Sequence, residues 1–223
     1  MREDLLKKVE DKYGQAFANS LKFTMNAEGM FSNHPDDKGG MTIQGIARTY
    51  NSKWEGWKIV DKYLEQFPEC VAPFRKNPVS LDRLNKALAA DDELNMLEYG
   101  FYFDNYFIKS GAYDVSKVCE KAGIIIFDIS VLQGVKRASK TVQRLLNRYY
   151  GCSLEVDGIL GSKTFEAFKQ ACEKEGQEVL INHLLLEFTD NLNEASKLDN
   201  NIKFLAGWMN RVLNLRNYLR LLK

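Results

Sequence analysis

The amino-acid sequence predicts a mainly α-helical protein. Apolar residues recur every three or four positions over most of the chain, a spacing that places them on one face of a helix. Only four prolines occur, all of them before residue 79, so the strongest helix breaker is missing from the second half. Turn-forming residues are concentrated in residues 31–40, where the helical spacing stops. We therefore expect helices, with a short glycine-rich turn or hairpin after the first of them.

The first helix is predicted over residues 1–27 and stops at Glu28–Gly29. Residues 42–47 lead toward another helix, and a short helix is expected at 57–67. Three prolines then break the chain, and Ser80 is a plausible N-cap for the apolar segment that follows. That segment, which reaches residue 108, is either one helix or two, in which case Asp91 starts the second.

Residues 119–134 are the most apolar part of the chain and, taken alone, could form a buried strand. The pattern continues beyond Gly134 into residues 135–150, so two helices that flank this glycine are favoured. The remaining expected elements are a turn at 155–161, a helix that Ser162 caps, and a final helix at 199–222.

Composition and charge indicate a globular protein with a core, and they argue against nucleic-acid binding and membrane insertion. A chain of 223 residues that is 45% hydrophobic is long enough for one large domain or two small ones with a sizeable core. The formal net charge of +1 gives no electrostatic attraction to nucleic acid. No run of 18 apolar residues occurs, so no stable membrane insertion is expected. The protein is expected to be a monomer.

The N-terminal sequence MREDLLKKVEDKYG lacks the continuous apolar region of a secretory signal. We therefore expect synthesis in the cytoplasm and export by another route. The four cysteines include no C-x-x-C pair and are interpreted as reduced, structural thiols rather than a zinc or redox site. With only two histidines in the chain, a histidine metal site is not expected, and no cofactor is implied.

The stretch AEGMFSNHPDDKGGMTIQGI, residues 27–46, combines acidic and glycine residues densely. Hydrolysis of a glycosidic bond needs one protonated carboxyl group and a second carboxylate. Glu28 follows an amphipathic helix, which would leave it partly desolvated and suited to donate a proton. Asp36 and Asp37 lie in a turn whose solvation would keep an aspartate ionised, and Thr42 could hold a water molecule or orient a carboxylate.

Simpler interpretations of the same residues remain open at this point. A glutamate at a helix end is more often solvated or a cap, and PDDKGG alone is an ordinary turn. His34 is more often a surface histidine than a base or ligand. Tyr50, Trp54 and Trp57 could stack on sugar rings or simply pack in the core.

Residues 28–46 resemble glycoside hydrolase family 108, lysozyme-like N-acetylmuramidases of phages and bacteria. The motif stands here as Glu28-Gly29-Met30-Phe31, Asn33-His34-Pro35-Asp36-Asp37-Lys38-Gly39-Gly40-Met41-Thr42 and Gly45-Ile46. The resemblance implies a lysozyme-like helical fold and carries the family's catalytic acid over onto Glu28. Met30 departs from the family's usual glycine and reduces backbone freedom beside the acid. The roles of Asp37 and Thr42 rest on an analogy with the Glu–Asp–Thr order of another type of phage lysozyme.

The second half resembles the predicted peptidoglycan-binding region that follows the catalytic part in this family. The matching residues are Phe127-Asp128, Gly134, Ala138, Gln143-Arg144, Asp157-Gly158, Gly161, Thr164 and the closing segment FLAGWMNRV at 204–212. This implies a catalytic region at 1–115 and a peptidoglycan-binding region at 116–223, either separate or packed into one body. Trp208 could be a core anchor, and Arg211 could be a cleft contact or an ion-pair partner.

The sequence thus predicts a peptidoglycan hydrolase that cuts the β-1,4 bond between N-acetylmuramic acid and N-acetylglucosamine. Glu28 would protonate the leaving oxygen, and Asp37 with Thr42 would position water, with Asp36 as the substitute carboxylate. Asp36, Tyr50 and Trp54 would contact the glycan strand. A phage or prophage endolysin, released through a membrane lesion, is expected. The alternatives are a non-catalytic wall-binding or secretion-associated protein, and an enzyme that acts on chitin or chitosan.

Overall fold

Helices make up most of the computed structural model, which describes residues 2–25, 31–33, 40–71, 78–198 and 201–222. The mainly α-helical prediction is confirmed. The α-helices are α1 (Glu3–Tyr13), α2 (Gln15–Thr24), α3 (Gly56–Gln66), α4 (Pro78–Ala90), α5 (Asp92–Tyr102), α6 (Ala112–Val118), α7 (Glu120–Gln133), α8 (Val135–Tyr150), α9 (Ser162–Glu175), α10 (Gln177–Ser196) and α11 (Ile202–Leu221). A 3₁₀ turn at Pro68–Cys70 follows α3, and a π-helical segment at Phe103–Ile108 follows α5.

A small antiparallel sheet lies between α2 and α3 in the sequence. Its strands are β1 (Phe31–Ser32), β2 (Thr42–Ile43) and β3 (Ile46–Ala47), in the spatial order β1-β2-β3. The predicted turn or hairpin is therefore confirmed. Residues 42–47, which were expected to lead toward another helix, first form a tight hairpin of β2 and β3, and α3 begins at Gly56.

The first predicted helix is two helices, so the expectation of a single helix over residues 1–27 was wrong. Gly14 separates α1 from α2 and adopts a φ of +90°, which an L-residue with a side chain rarely tolerates. The Gly14 amide donates to the Glu10 carbonyl, and the Ala18 amide donates to the Gly14 carbonyl. The hydrogen bonding thus continues through the break, which is why the apolar spacing gave no sign of it.

The sequence suggested helix starts at Ser80, Asp91 and Ser162, and only Asp91 has the position of an N-cap in the structure. Asp91 is the N-cap of α5, since its Oδ1 accepts a hydrogen bond of 2.8 Å from the Leu94 amide. This supports the two-helix option for the segment after the prolines. Ser80 is not a cap, because α4 already begins at Pro78, a residue favoured in the first turn. Ser162 is not a cap either, since it lies inside α9 after Gly161.

The chain divides into two compact units. The first comprises residues 1–9 and 24–102, and the second comprises residues 10–23 and 103–223. The centre of the second unit is α7, in which every residue from Ala122 to Ser130 is buried. This explains why residues 119–134 could pass for a buried strand, since a helix enclosed on all sides shows no polar face. The boundary predicted between residues 115 and 116 stays a prediction.

Two elements of the second unit were not predicted at all. The short α6 gave no signal, since seven residues provide fewer than two full apolar repeats. The long α10 did carry a signal, because its buried residues recur at helical spacing: Leu180, Ile181, Leu184, Leu185, Phe188 and Leu192.

The motif residues Gln143, Asp157 and Gly158 hold the loop between α8 and α9. The Gln143 amide nitrogen donates to Asp157 Oδ1 at 2.7 Å, and its oxygen accepts from the Gly158 amide at 2.9 Å. Gly158 has a φ of +83°, and a Cβ there would lie 2.5 Å from the Lys136 side chain. These residues therefore serve the loop's structure, in line with the turn expected at 155–161.

Arg211 forms an ion pair with Asp128, which decides between the two alternatives left open for this arginine. The guanidinium of Arg211 on α11 donates to both Asp128 oxygens on α7, at 2.7 and 3.1 Å. The Asp128 side chain is fully buried, and that of Arg211 is 16% exposed. Such two-point pairing compensates the loss of water around a buried carboxylate.

Glu98 on α5 is a buried carboxyl group in the first unit. Its side chain is completely inaccessible, and neither oxygen has a hydrogen-bond partner within the described part of the chain. Burial, with a smaller contribution from the charge of Asp91, raises the pKa of Glu98 from 4.5 to about 8. Glu98 is therefore protonated at neutral pH in the folded state and ionised in the unfolded state.

This difference predicts that the protein loses stability as the pH rises. Between pH 4.5 and about 8 the folded state holds a proton that the unfolded state has released. The free energy of unfolding should therefore fall by up to ~1.4 kcal/mol per pH unit on account of this group. Glu98→Gln should flatten the profile and stabilise the protein at pH 8, as measured by urea denaturation across the pH range.

Glu93→Gln is the matched control, because Glu93 lies on the same helix and is exposed. It should leave the pH profile of wild type unchanged. A Glu98→Gln profile that still falls between pH 4.5 and 8 with the wild-type slope would refute a buried neutral carboxyl.

Candidate active site

The predicted catalytic stretch is described in part. Glu28, Asp36 and Asp37 lie outside the described residues, as do Met30 and His34. Thr42, Tyr50, Trp54 and Trp57 lie inside them. The structure therefore shows the elements on either side of the three acids, and their catalytic roles stay predictions.

The helix that precedes Glu28 is anchored by an aromatic cluster in the second unit. Phe17 on α2 is fully buried, and its ring centroid lies 5.1 Å from those of Phe103 and Phe107 and 5.7 Å from that of Phe127. Edge-on and tilted contacts of this kind add to the stability gained from burial of the rings alone. This packing fixes the middle of α2.

The C-terminal part of α2 is held by α7 and α11. The Tyr218 hydroxyl on α11 donates to the Asn19 backbone carbonyl at 2.9 Å, and the Asn19 side-chain nitrogen donates to Glu120 Oε1 of α7 at 2.8 Å. Burial raises the pKa of Tyr218 to about 12, which keeps the phenol protonated as a donor. The Phe23 ring lies 5.4 Å from that of Tyr218. The last turn before the Glu28 segment is thus fixed by helices from the second half of the sequence.

The chain resumes at β1, which is fixed in the first unit. The Phe31 side chain is 6% exposed, and its amide donates to Asn85 Oδ1 of α4 at 3.1 Å. The Asn33 side chain donates to the Val71 carbonyl at 2.7 Å. These contacts position the chain directly after the Glu28 segment.

Thr42 stands at the far end of the connection that carries Asp36 and Asp37. The pairing of Ser32 in β1 with Thr42 in β2 closes residues 33–41 into a loop. Thr42 is half-buried, and its hydroxyl donates to the Gly40 carbonyl at 3.2 Å. The hydroxyl oxygen keeps acceptor capacity, since it carries two lone pairs. The geometry is compatible with the predicted role of Thr42 in holding water.

The Gly-Ile motif at residues 45–46 is explained by the β2–β3 turn. Gln44 and Gly45 have φ values of +44° and +79°, the signature of a two-residue hairpin turn that matches the twist of its strands. The Tyr102 hydroxyl donates to the Gln44 carbonyl at 2.5 Å in a buried setting. The positive φ at the second turn position explains the glycine at residue 45. The first turn position, Gln44, is held by its hydrogen bond to Tyr102 of α5.

Sequence reasoning missed a network that fixes the chain after this hairpin. The guanidinium of Arg48 makes two hydrogen bonds to the Asp61 carboxylate, at 2.6 and 2.8 Å. It also lies 5.1 Å from the centre of the Trp57 ring. The Trp57 indole donates to the Asn51 carbonyl at 2.8 Å. No sequence signal could have found this arrangement, because it joins residues thirteen apart on different elements.

The three aromatic residues proposed for sugar stacking occupy different environments. Trp57 is 3% exposed and belongs to the core. Trp54 is half-buried and meets Trp57 edge-on, and its ring covers Gly56 so closely that a Cβ there would lie 2.2 Å away. Tyr50 is 72% exposed. Tyr50 and Trp54 thus remain available for contact with a ligand, and their stacking role stays a prediction.

The described residues also bear on metals and membranes. Among them, no group of three or more His, Cys, Asp or Glu side chains is placed to hold a metal ion. None of the helices in the described part of the chain is long and apolar enough to span a bilayer.

Two protein-family models match the chain. The model for glycosyl hydrolase 108 matches residues 21–134, and the model for a predicted peptidoglycan domain matches residues 137–213. Among solved structures, the chain is similar to that of Brucella abortus SagA, with 24% identity and a TM-score of 0.55 over 91% of this chain and 92% of that one. No curated protein gives a significant match.

The similarity to SagA extends over nearly the whole of both chains and concerns the fold alone. The first family model covers more than half of the 223 residues and includes the entire stretch from Glu28 to Thr42. The chain therefore belongs to the glycosyl hydrolase 108 family and is a glycoside hydrolase with a lysozyme-like helical fold and a predicted peptidoglycan domain.

Proposed function

We propose that this enzyme is an N-acetylmuramidase that cleaves the β-1,4 bond between N-acetylmuramic acid and N-acetylglucosamine in peptidoglycan. The proposal rests chiefly on one observation: a family 108 region is followed, after two residues, by a predicted peptidoglycan domain in the same chain. A hydrolase attached to a wall-binding region meets glycan strands at high local concentration. This favours peptidoglycan over chitin or chitosan as the substrate.

In this mechanism Glu28 donates a proton to the leaving glycosidic oxygen. An acid in this role must be protonated near neutral pH and lie within hydrogen-bond reach of the oxygen. Support comes from the position of Glu28 in the family motif and from the anchoring of α2, which ends at Thr24, four residues before Glu28.

The second carboxylate is assigned to Asp37, with Thr42 orienting a water molecule and Asp36 as the substitute. The closure of residues 33–41 by the β1–β2 pairing supports this assignment, because it ties both ends of the acid-bearing loop to the sheet. The half-buried Thr42 hydroxyl lies at the base of that loop. Tyr50 and Trp54 are proposed to stack on sugar rings of the bound strand.

Endolysin function, synthesis in the cytoplasm with release through a membrane lesion, and a monomeric state stay predictions. Expression with and without a pore-forming membrane protein would test the release route, since lysis should then depend on the pore. Light scattering would measure the mass of the species in solution.

The first prediction of this function concerns Glu28→Gln, which keeps the size of the side chain but removes the proton to be donated. We expect a loss of wall hydrolysis of ~10²–10⁴-fold with unchanged helicity, because general acid catalysis contributes about that much. Turbidity loss of purified peptidoglycan measures the rate, and mass spectrometry should show reducing muramic-acid ends from wild type.

Glu65→Gln provides the control, since Glu65 is an exposed glutamate on α3. It should retain full activity. Equal cleavage by wild type and Glu28→Gln would place the acid elsewhere in the chain, whereas an inactive wild type would refute the hydrolase proposal itself.

A second prediction separates the two aspartates. Asp37→Asn should reduce kcat by ~10²-fold or more if its carboxylate activates water. Asp36→Asn should mainly raise KM, because a residue that only contacts substrate contributes to binding. Steady-state kinetics on soluble wall fragments would measure both constants. The reverse pattern would assign the second carboxylate to Asp36.

A third prediction concerns the stacking role of Tyr50. Because its side chain is exposed, it can be replaced without a loss of stability. Tyr50→Ala should raise KM several-fold, while Tyr50→Phe should keep wild-type kinetics, since stacking needs the ring and not the hydroxyl. Neither change should shift the midpoint of thermal unfolding, because the side chain is 72% exposed. Wild-type kinetics in Tyr50→Ala would exclude a stacking role.

A further inference from the structure

An open groove lies between α10 and α11, both of which belong to the second unit. Two adjoining cavities of about 210 and 290 Å³ form it, and they share Asn182, Leu185 and Arg216 in their walls. Lining residues on α10 recur every three or four positions, and so do those on α11. One continuous face of each helix is therefore turned toward the groove.

One half of the groove is cationic. Lys121, Arg216 and Arg220 line it, against the single carboxylate of Glu178. Lys121 Nζ lies 3.5 Å from Glu178 Oε1, so this pair is largely compensated. Neither Arg216 nor Arg220 forms an ion pair or side-chain hydrogen bond with any other residue in the described ranges. Two such arginines one helical turn apart repel each other, so an anion between them would stabilise the helix.

The other half of the groove is apolar. Its walls include Leu185, Leu186, Val212 and Leu213. Leu186 is 53% exposed and Leu213 is 57% exposed, so two large apolar side chains from facing helices meet solvent at the same place. No aromatic ring lines either half of the groove among the described residues, and a sugar face therefore finds no stacking partner there.

We propose that this groove binds the peptide stem of peptidoglycan. The stem is a short peptide that carries free carboxylates together with alanine methyl groups. Its carboxylates would pair with Arg216 and Arg220, whose planar guanidinium groups match a carboxylate at two points. Its methyl groups would cover Leu186 and Leu213. This inference rests on the proposed function, because it assigns the predicted peptidoglycan domain its ligand and its site.

Charge and polarity favour the peptide over the other anions and polymers of a cell wall. A poly(glycerol phosphate) chain would satisfy the arginines but has no apolar groups for the leucine half. A glycan strand without peptides carries lactyl carboxylates only on every second sugar, and its surface is mainly hydroxyl and amide groups, which suit the leucine half less well. The net charge of the whole chain, +1, does not oppose the proposal, since attraction depends on these two unpaired arginines at short range.

The test uses the full-length wild-type protein and a synthetic tetrapeptide stem with free carboxylates, studied by titration calorimetry. We expect binding, and we expect Arg216→Glu/Arg220→Glu to weaken it by roughly tenfold or more, as loss of charge-assisted hydrogen bonds does. Amidation of the peptide's carboxylates should weaken its binding to wild type to a similar extent. The amidated peptide should bind wild type no more tightly than the peptide with free carboxylates binds Arg216→Glu/Arg220→Glu. Both arginines are exposed, so circular dichroism should report an unchanged fold.

Lys163→Glu/Lys169→Glu is the matched control, because it makes the same change of charge at two exposed lysines on α9. It should keep wild-type affinity. A second variant, Leu186→Ser/Leu213→Ser, should weaken binding several-fold by removing the apolar wall. Because this variant keeps the charge of wild type, it distinguishes binding in the groove from a non-specific attraction of the anionic peptide to positively charged residues.

The proposal is overturned if wild type fails to bind the stem peptide at millimolar concentration, or if the amidated peptide binds equally well. Wild-type affinity in the arginine variant would also overturn it. Tighter binding of poly(glycerol phosphate) than of the peptide would replace the peptide by a phosphate polymer. The peptide contains no glycosidic bond, so these results are independent of whether the enzyme cleaves peptidoglycan.

Discussion

The ion pair between Asp128 and Arg211 is the interaction on which the arrangement of the second unit depends. Asp128 lies in a helix that is otherwise buried among apolar side chains, where an unpaired carboxylate would be strongly unfavourable. Arg211 donates two hydrogen bonds to it and so fixes both the position and the rotation of α11. Removal of one partner of such a pair leaves the other charge buried and uncompensated.

Other contacts of α11 follow from this placement. Tyr218 is two helical turns beyond Arg211 and reaches the Asn19 carbonyl of α2. The guanidinium of Arg211 itself lies 5.7 Å from the centre of the Phe23 ring. The helix before the Glu28 segment thus takes its position from α11, and the opposite flank of α11 forms one wall of the groove. A single buried charge therefore constrains the end of α2 and the shape of a candidate ligand site.

The sequence predicted local features well where one residue type determines the backbone. Asp91 was considered as the start of a second helix, and it caps α5 because its carboxylate accepts a hydrogen bond from the first turn. Gly45 stood out in the motif and occupies a turn that requires positive φ. Gly14 was missed although its φ is also positive, because the apolar repeat continues across it.

Features that depend on distant partners could not be predicted from the sequence. The bonds of Arg48 to Asp61 and the isolation of Glu98 depend on how helices pack, which periodicity does not encode. Arg211 lies in the closing segment that resembles the family, and only the packing of α11 on α7 shows which acid it meets. The candidate catalytic acids came from a family motif, whose residues are recognisable without any knowledge of packing.

The division of the chain has a consequence for how such enzymes diversify. Residues 10–23 belong to the same unit as residues 103–223, while the segments on both sides of them belong to the other unit. A recombination event that exchanged only the second half would leave Phe103, Phe107 and Phe127 without the Phe17 ring that packs among them. The N-terminal and C-terminal halves of the sequence therefore cannot be exchanged independently of each other. Any exchange of the predicted peptidoglycan domain must carry α2 along or proceed by substitutions within the existing helices.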